Sequence, residues 1–173
     1  GEYYTEAEIK DLIDYCKKRH ITFLPEIDMP GHSAAFTRAM KTDMQSDSGL
    51  VYVKNILKEF ITTYDFPYLH IGADEVKITN NNFLPEITRF VEGFGKKLIG
   101  WQPGGNFTEN TIRQLWMEDN THASGNANIQ YIDSRHLYLN HMDPLEIPVT
   151  LFHRQIGNRE QGDNSALGGT LCV

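Results

Sequence analysis

The chain has 173 residues, 40% of them hydrophobic, and a formal net charge of −7, which supplies enough apolar material for one sizeable core. Acids and bases are well mixed and no basic run exceeds Lys17-Lys18-Arg19, so a nucleic-acid partner is not expected. No apolar stretch approaches the roughly 18 residues of a membrane span, and the opening Gly1-Glu2-Tyr3-Tyr4-Thr5 lacks the charged start and greasy segment of a signal peptide. Cys16 and Cys172 sit in apolar patterns and read as small core residues, which leaves the redox compartment open.

Thr5-Glu6-Ala7-Glu8 forms a capping box. Ile9, Leu12, Ile13 and Cys16 recur behind it at helical spacing, so a helix of about 15 residues is predicted, closed by Arg19-His20 where positive charge suits a helix terminus. Residues 21–28, apolar and β-prone, read as a strand, followed by a loop with Met29-Pro30-Gly31-His32. A second helix is predicted over 50–63, with Val53, Ile56, Leu57, Phe60 and Ile61 on one face. A buried strand follows at 67–72. A third helix covers 84–96 with Ile87, Phe90, Val91 and Phe94 inward. Further strands are expected at 97–101, at 112–116, at 129–133 running on into 137–140, and at 166–173. Residues 140–163 read as a long loop.

This alternation implies a parallel sheet with crossover helices. No Gly-rich phosphate loop follows any strand, which weakens a nucleotide-binding doubly wound sheet. Polar and aromatic residues gather instead at strand ends: Asp28 and His32, Asp74 and Glu75, Trp101, Trp116, Tyr138. In a (β/α)8 barrel all of these face one mouth. About six strands are visible, and a full barrel usually needs ~250 residues. Residues 1–173 therefore read as a single partial TIM-barrel domain of the α/β class, without its first two strands and the end of its eighth.

Asp74-Glu75 is the most informative pair. It closes the apolar run Pro67-Tyr68-Leu69-His70-Ile71-Gly72, and acids at the end of a buried strand are costly to desolvate. A site can hold one acid as proton donor beside another that stays charged. The plainer alternative is a helix cap or a pairing with Lys77. Adjacent strand residues point to opposite faces, so the two acids share a pocket only if the chain turns there. Gly72 and Ala73 suit such a bend, and Ala73 is tolerable if its backbone angle is ordinary.

Four separated elements together resemble the catalytic domain of glycoside hydrolase family 20, the β-N-acetylhexosaminidases. They are Tyr4-Thr5 leading a helix, Pro25-Glu26-Ile27-Asp28-Met29-Pro30-Gly31-His32, His70-Ile71-Gly72-Ala73-Asp74-Glu75, and the tryptophan-ended strands near 101 and 116. Tyr138-Leu139 is a fifth, weaker match. The resemblance implies retaining hydrolysis in which the substrate's 2-acetamido group is the nucleophile, an exception to the two-carboxylate rule. It implies Glu75 as general acid and later base, which must carry its proton near working pH with help from a neighbour or partial burial. Asp74 would orient the acetamido group, Tyr138 would hold its oxygen, and Trp101 and Trp116 would wall the sugar pocket. Asp28 and His32 would act behind the general acid, and His70 would support the Asp-Glu strand from behind. Asn140 stands where an aspartate that accepts from a sugar hydroxyl is common, and Gln102 where glutamate is frequent. The implied ligand is an oligosaccharide or glycoconjugate ending in an N-acetylhexosamine, with no cofactor and no metal. The implied compartment is secreted, periplasmic or lysosomal. Two alternatives are a non-catalytic glycan-binding barrel and a metal-dependent barrel hydrolase. For the latter, Asp28, His32, His70 and Asp74 are imaginable ligands, but a His-x-His pair ending an early strand and helical His-x3-His spacing are both missing.

Overall fold

A computed structural model describes residues 3–117, 128–140, 145–158 and 164–172. Helix α1 (Glu6–Lys17) begins as the capping box requires: the Thr5 amide donates to Glu8 Oε2 at 2.7 Å, and the Glu8 amide donates to Thr5 Oγ1. Only Ile13 of this helix is buried. Leu12 and Tyr15 are largely exposed and Cys16 is half-buried, so the expected apolar face, with Cys16 as a core residue, is mostly uncovered.

Residues 25–29 lie parallel to strand β1 (Tyr68–His70). The Ile27 and Met29 amides donate to the carbonyls of His70 and Ile71, and the His70 amide donates to Pro25 O. The predicted strand 21–28 is thus a short ladder at its second half only. Helix α2 (Ala34–Met40) was not expected from the sequence. Its seven residues are too few for periodicity to register, and none is buried. Helix α3 (Asp47–Thr63) starts ahead of the expected Leu50, because Ser46 Oγ accepts from the Gly49 amide and caps it. A Cβ at Gly49 would lie 2.1 Å from Asp43 O, so only glycine lets the entering chain pass so close. The buried stripe of α3 is Leu50, Val53, Leu57 and Ile61, whereas Ile56 is exposed and Phe60 half-buried.

Helix α4 (Phe83–Glu92) buries Phe83, Leu84, Ile87 and Val91 and stops at Gly93, four residues short of the predicted end. Phe94 is therefore exposed instead of inward, and Phe90 is half-buried. Strands β2 (Lys97–Gln102), β3 (Ile112–Leu115), β4 (Tyr131–Asp133) and β5 (Ala166–Gly169) follow. All pair in parallel in chain order, β1-β2-β3-β4-β5. The predicted β segment running from 129 into 140 is broken by a turn at 134–137, with His136 at φ +59°, and resumes as a bridge between Tyr138 and Cys172. The loop expected at 140–163 lies outside the described residues at 141–144 and 159–163, and its described part holds helix α5 (Glu146–His153).

The larger core cluster lies between α3, α4 and the first strands, with Leu57, Leu69, Ile71, Phe83, Leu84, Ile87 and Val91 fully buried, and a smaller one gathers Leu115 and Tyr131. Burial of each such side chain stabilises the fold by about 1.5–3 kcal/mol. Gly100 in β2 is required by the Phe107 ring, whose Cζ would lie 2.1 Å from a Cβ there. Buried Arg113 in β3 donates to the carbonyls of Thr108 at 2.9 Å and Thr111 at 3.1 Å, tying down the loop that enters the strand. Burial pushes its guanidinium down to about 10. The architecture is an incomplete α/β barrel, whose consecutive parallel strands bring their C-terminal ends to one side.

Candidate active site

Strand β1 ends at His70, and the chain then turns through left-handed angles at Gly72 (φ +64°), Ala73 (φ +67°) and Glu75 (φ +47°). This resolves the alternation problem, since the turn takes Asp74 and Glu75 out of the pleat and into a common cavity. It also corrects one expectation. The Ala73 angle is not ordinary, and a non-glycine residue there stores strain of about 1–2 kcal/mol. The Ala73 methyl is fully buried in the core, which offsets part of that cost.

The cavity holds about 480 Å³ and is lined by Asp74, Glu75, Trp101, Trp116, Met117 and Tyr138. That size falls within the usual range for small-ligand sites. The lining comes from separate strand ends: the turn after β1, the end of β2, the residues after β3, and the bridge after β4. The Trp116 indole donates to Pro103 O at 3.1 Å, which fixes its plane. Tyr138 has its hydroxyl pushed up by burial, by its contact with Cys172, and by the negative charges of Asp74 and Glu26, so it stays a neutral hydrogen-bond donor. Asn140 is exposed and is not among the lining residues.

The 29–33 loop packs against the acid turn. A Cβ on Gly31 would lie 3.0 Å from Asp74 O. His32 Nε2 lies 3.8 Å from Glu75 Oε2. Glu75 itself is exposed over 61% of its side chain, so it lacks the partial burial that was one of the two expected aids. Asp28 sits behind Gly72, with its carboxyl held above the usual range by burial and then by the charge of Asp74, which together outweigh His32 and the Ala73 amide. Ligand atoms of Asp28, His32 and Asp74 fall within 4.8 Å of one another and are the described residues that could hold a cation.

His70 is buried, and its Nδ1 lies 3.0 Å from Glu26 Oε1 and 3.1 Å from the Gly72 amide. Its ring meets Trp101 edge-on at 5.2 Å between centroids. Glu26, not singled out from the sequence, was legible there. It stands two residues before Asp28 on an extended segment, so both side chains share a face. Met117 and Cys172, beside Tyr138, carried no signal of their own.

A parallel α/β barrel segment whose strand ends present two acids among aromatic walls defines a class, that of barrel proteins with a carboxylate-lined small-ligand pocket. Comparison with known proteins narrows it. Residues 1–49 match the family model described as glycosyl hydrolase family 20, catalytic domain. A β-hexosaminidase from Porphyromonas gingivalis is 26% identical over 80% of this chain and 24% of its own length. The fold matches a Flavobacterium johnsoniae chitobiase with a TM-score of 0.79 at 19% identity, over 99% of this chain and 34% of that one. It also matches a Streptomyces plicatus N-acetyl-β-hexosaminidase, solved in complex with Thio-NAglucal, with a TM-score of 0.66 at 26% identity, over 80% of this chain and 35% of that one. In sequence and in fold the chain is thus similar to members of glycoside hydrolase family 20. It spans about a quarter of the length of the curated relatives it matches.

Proposed function

We propose that the protein carrying this domain is an exo-acting retaining β-N-acetylhexosaminidase that uses the 2-acetamido group of its substrate as nucleophile. The observation that carries the reading is the pairing of Asp74 and Glu75 in one cavity walled by Trp101, Trp116 and Tyr138. In this reading a terminal N-acetylhexosamine lies against the indoles, which suit apolar sugar faces and a methyl group. Glu75 gives its proton to the glycosidic oxygen as the bond to the anomeric carbon breaks, and the acetamido oxygen closes onto that carbon. Asp74 accepts from the acetamido N–H and stays charged against the positive charge that develops on the ring. The Tyr138 hydroxyl donates to the acetamido oxygen and keeps it aimed. Glu75, now a carboxylate, then takes a proton from the water that opens the intermediate, so configuration is retained over two inversions. In this reading His32, 3.8 Å from Glu75, orients it, with Asp28 acting from behind.

The test is hydrolysis of chromogenic N-acetylhexosaminides by the full-length protein. Glu75→Gln is expected to lower kcat by about 10²–10⁴-fold with binding retained, and Asp74→Asn to cripple turnover as well. A thiazoline, which imitates the cyclised intermediate, is expected to bind tightly. Brisk cleavage of an analogue with hydroxyl in place of acetamido would contradict the mechanism.

A further inference from the structure

We infer that Glu26 is a positioning residue that sets both the Trp101 wall of the cavity and the turn that presents Asp74 and Glu75. Glu26 pairs with His70 across the parallel ladder, so the two side chains rise from the same face of the sheet. Its Oε1 lies 3.0 Å from His70 Nδ1, and the Trp101 indole lies near enough to the same carboxylate to act on it. His70 first, and the indole least, hold the Glu26 carboxyl below its ordinary range despite partial burial. His70 in turn touches two parts of the site. Its ring edge packs on Trp101, and its Nδ1 lies at hydrogen-bond distance from the amide of Gly72, the first left-handed residue of the acid turn.

Nδ1 has a single in-plane position and cannot serve both neighbours in one state. When it carries a hydrogen it donates to Glu26. When it does not, it accepts from Gly72. Glu26 therefore decides which nitrogen of a buried imidazole is protonated, and with it whether the Gly72 amide is tied to His70. One side chain thereby governs a pocket wall and the backbone that carries both acids, while it is itself absent from the cavity lining.

The kinetic part of the test rests on the hexosaminidase reading; the spectroscopic part does not. The full-length protein is labelled with ¹⁵N at tryptophan indoles, and the Trp101 signal is assigned by its loss in Trp101→Phe. Glu26→Ala is expected to move that signal upfield, to the position of an indole without a carboxylate partner. Glu26→Gln keeps an acceptor for the indole and is expected to leave it nearly in place. In parallel, kcat/KM for an N-acetylhexosaminide is expected to fall about tenfold to a hundredfold in Glu26→Ala, chiefly through KM, and to recover most of that loss in Glu26→Gln. An unmoved indole signal in Glu26→Ala overturns the inference, as does a Glu26→Gln variant as impaired as the alanine. If the unsubstituted protein hydrolyses no N-acetylhexosaminide, the proposed function fails, and the indole signal still decides whether Glu26 positions Trp101.

Discussion

Replacing Asp133 by asparagine tests how much of the fold hangs on one buried charge. Asp133 is fully buried at the end of β4, between Arg135 and Arg154. Its Oδ1 accepts from the Arg135 amide at 3.1 Å and from Arg135 Nε at 2.9 Å. Its Oδ2 accepts from Arg135 Nη2 at 3.0 Å, Arg154 Nη2 at 2.8 Å and the Gly157 amide at 2.8 Å. Asparagine offers one oxygen and one NH2 group in the same space. Either orientation sets that NH2 against at least two of these donors and removes the charge that both guanidiniums bond. Breaking a buried pair in this way costs about 3–5 kcal/mol. For a chain of this size the expected fall in melting temperature is about 6–20 °C, with a lower urea midpoint at unchanged m. The acid side of the stability profile checks the same residue. Burial would raise the Asp133 carboxyl, but Arg135, the Gly157 amide and Arg154 outweigh it and hold it below its ordinary value. A carboxylate lowered in the fold contributes stability that is present above its unfolded pKa of about 3.9. That contribution is lost as pH falls from there through the lowered folded value. The asparagine variant is expected to lack this loss in that window. A melting temperature within about 2 °C of the parent would refute the reasoning.

Gly72→Ala places a Cβ 2.1 Å from Asp28 Oδ1 at φ +64°. It is expected to cost about 1–2 kcal/mol from the backbone angle alone and to displace Asp28, read as a lower melting temperature together with lost hydrolysis. Asp28→Asn removes a carboxylate that burial and Asp74 hold above its usual range. Such a group destabilises the fold when ionised, so the variant is expected to melt higher than the parent at neutral pH, with the difference vanishing as pH falls below the unfolded carboxyl value, while turnover drops. Gly100→Ala drives a methyl into the Phe107 ring and is expected to cost about 1–3 kcal/mol. Phe107→Leu in the same chain should recover part of that loss, and strict additivity in denaturant melts would show that the two positions are not coupled.

The elements that show themselves in the sequence carry a clear local signal: the capping box at Thr5, the helical stripe of Val53, Leu57 and Ile61, and the short apolar runs that become the buried strands at 97 and 112. What escaped has local causes. Helix α2 buries no residue, so it leaves no stripe to read. Helix α5 carries Pro148 and exposes Val149 and Phe152, a pattern that reads as loop. Phe94 continues the helical period of 87, 90 and 91, but Gly93 caps the helix first. The acid pair was legible as a motif. Its geometry was not, because three left-handed residues in four, one of them alanine, are set by the packing of Asp28 and Gly31 against the turn. Glu26 went unread because the conspicuous acid nearby was Asp28, although the two-residue spacing put both on one face.

Each strand of the sheet bonds only to its immediate neighbours in the chain, and each wall of the cavity grows from a different strand end. A connection can therefore be lengthened or exchanged without disturbing the strand that carries the acids. Such a scaffold separates the acid pair from the rest of the mouth: insertions after β2, β3 or β4 can reshape what the cavity admits while the acids at the β1 turn stay in place.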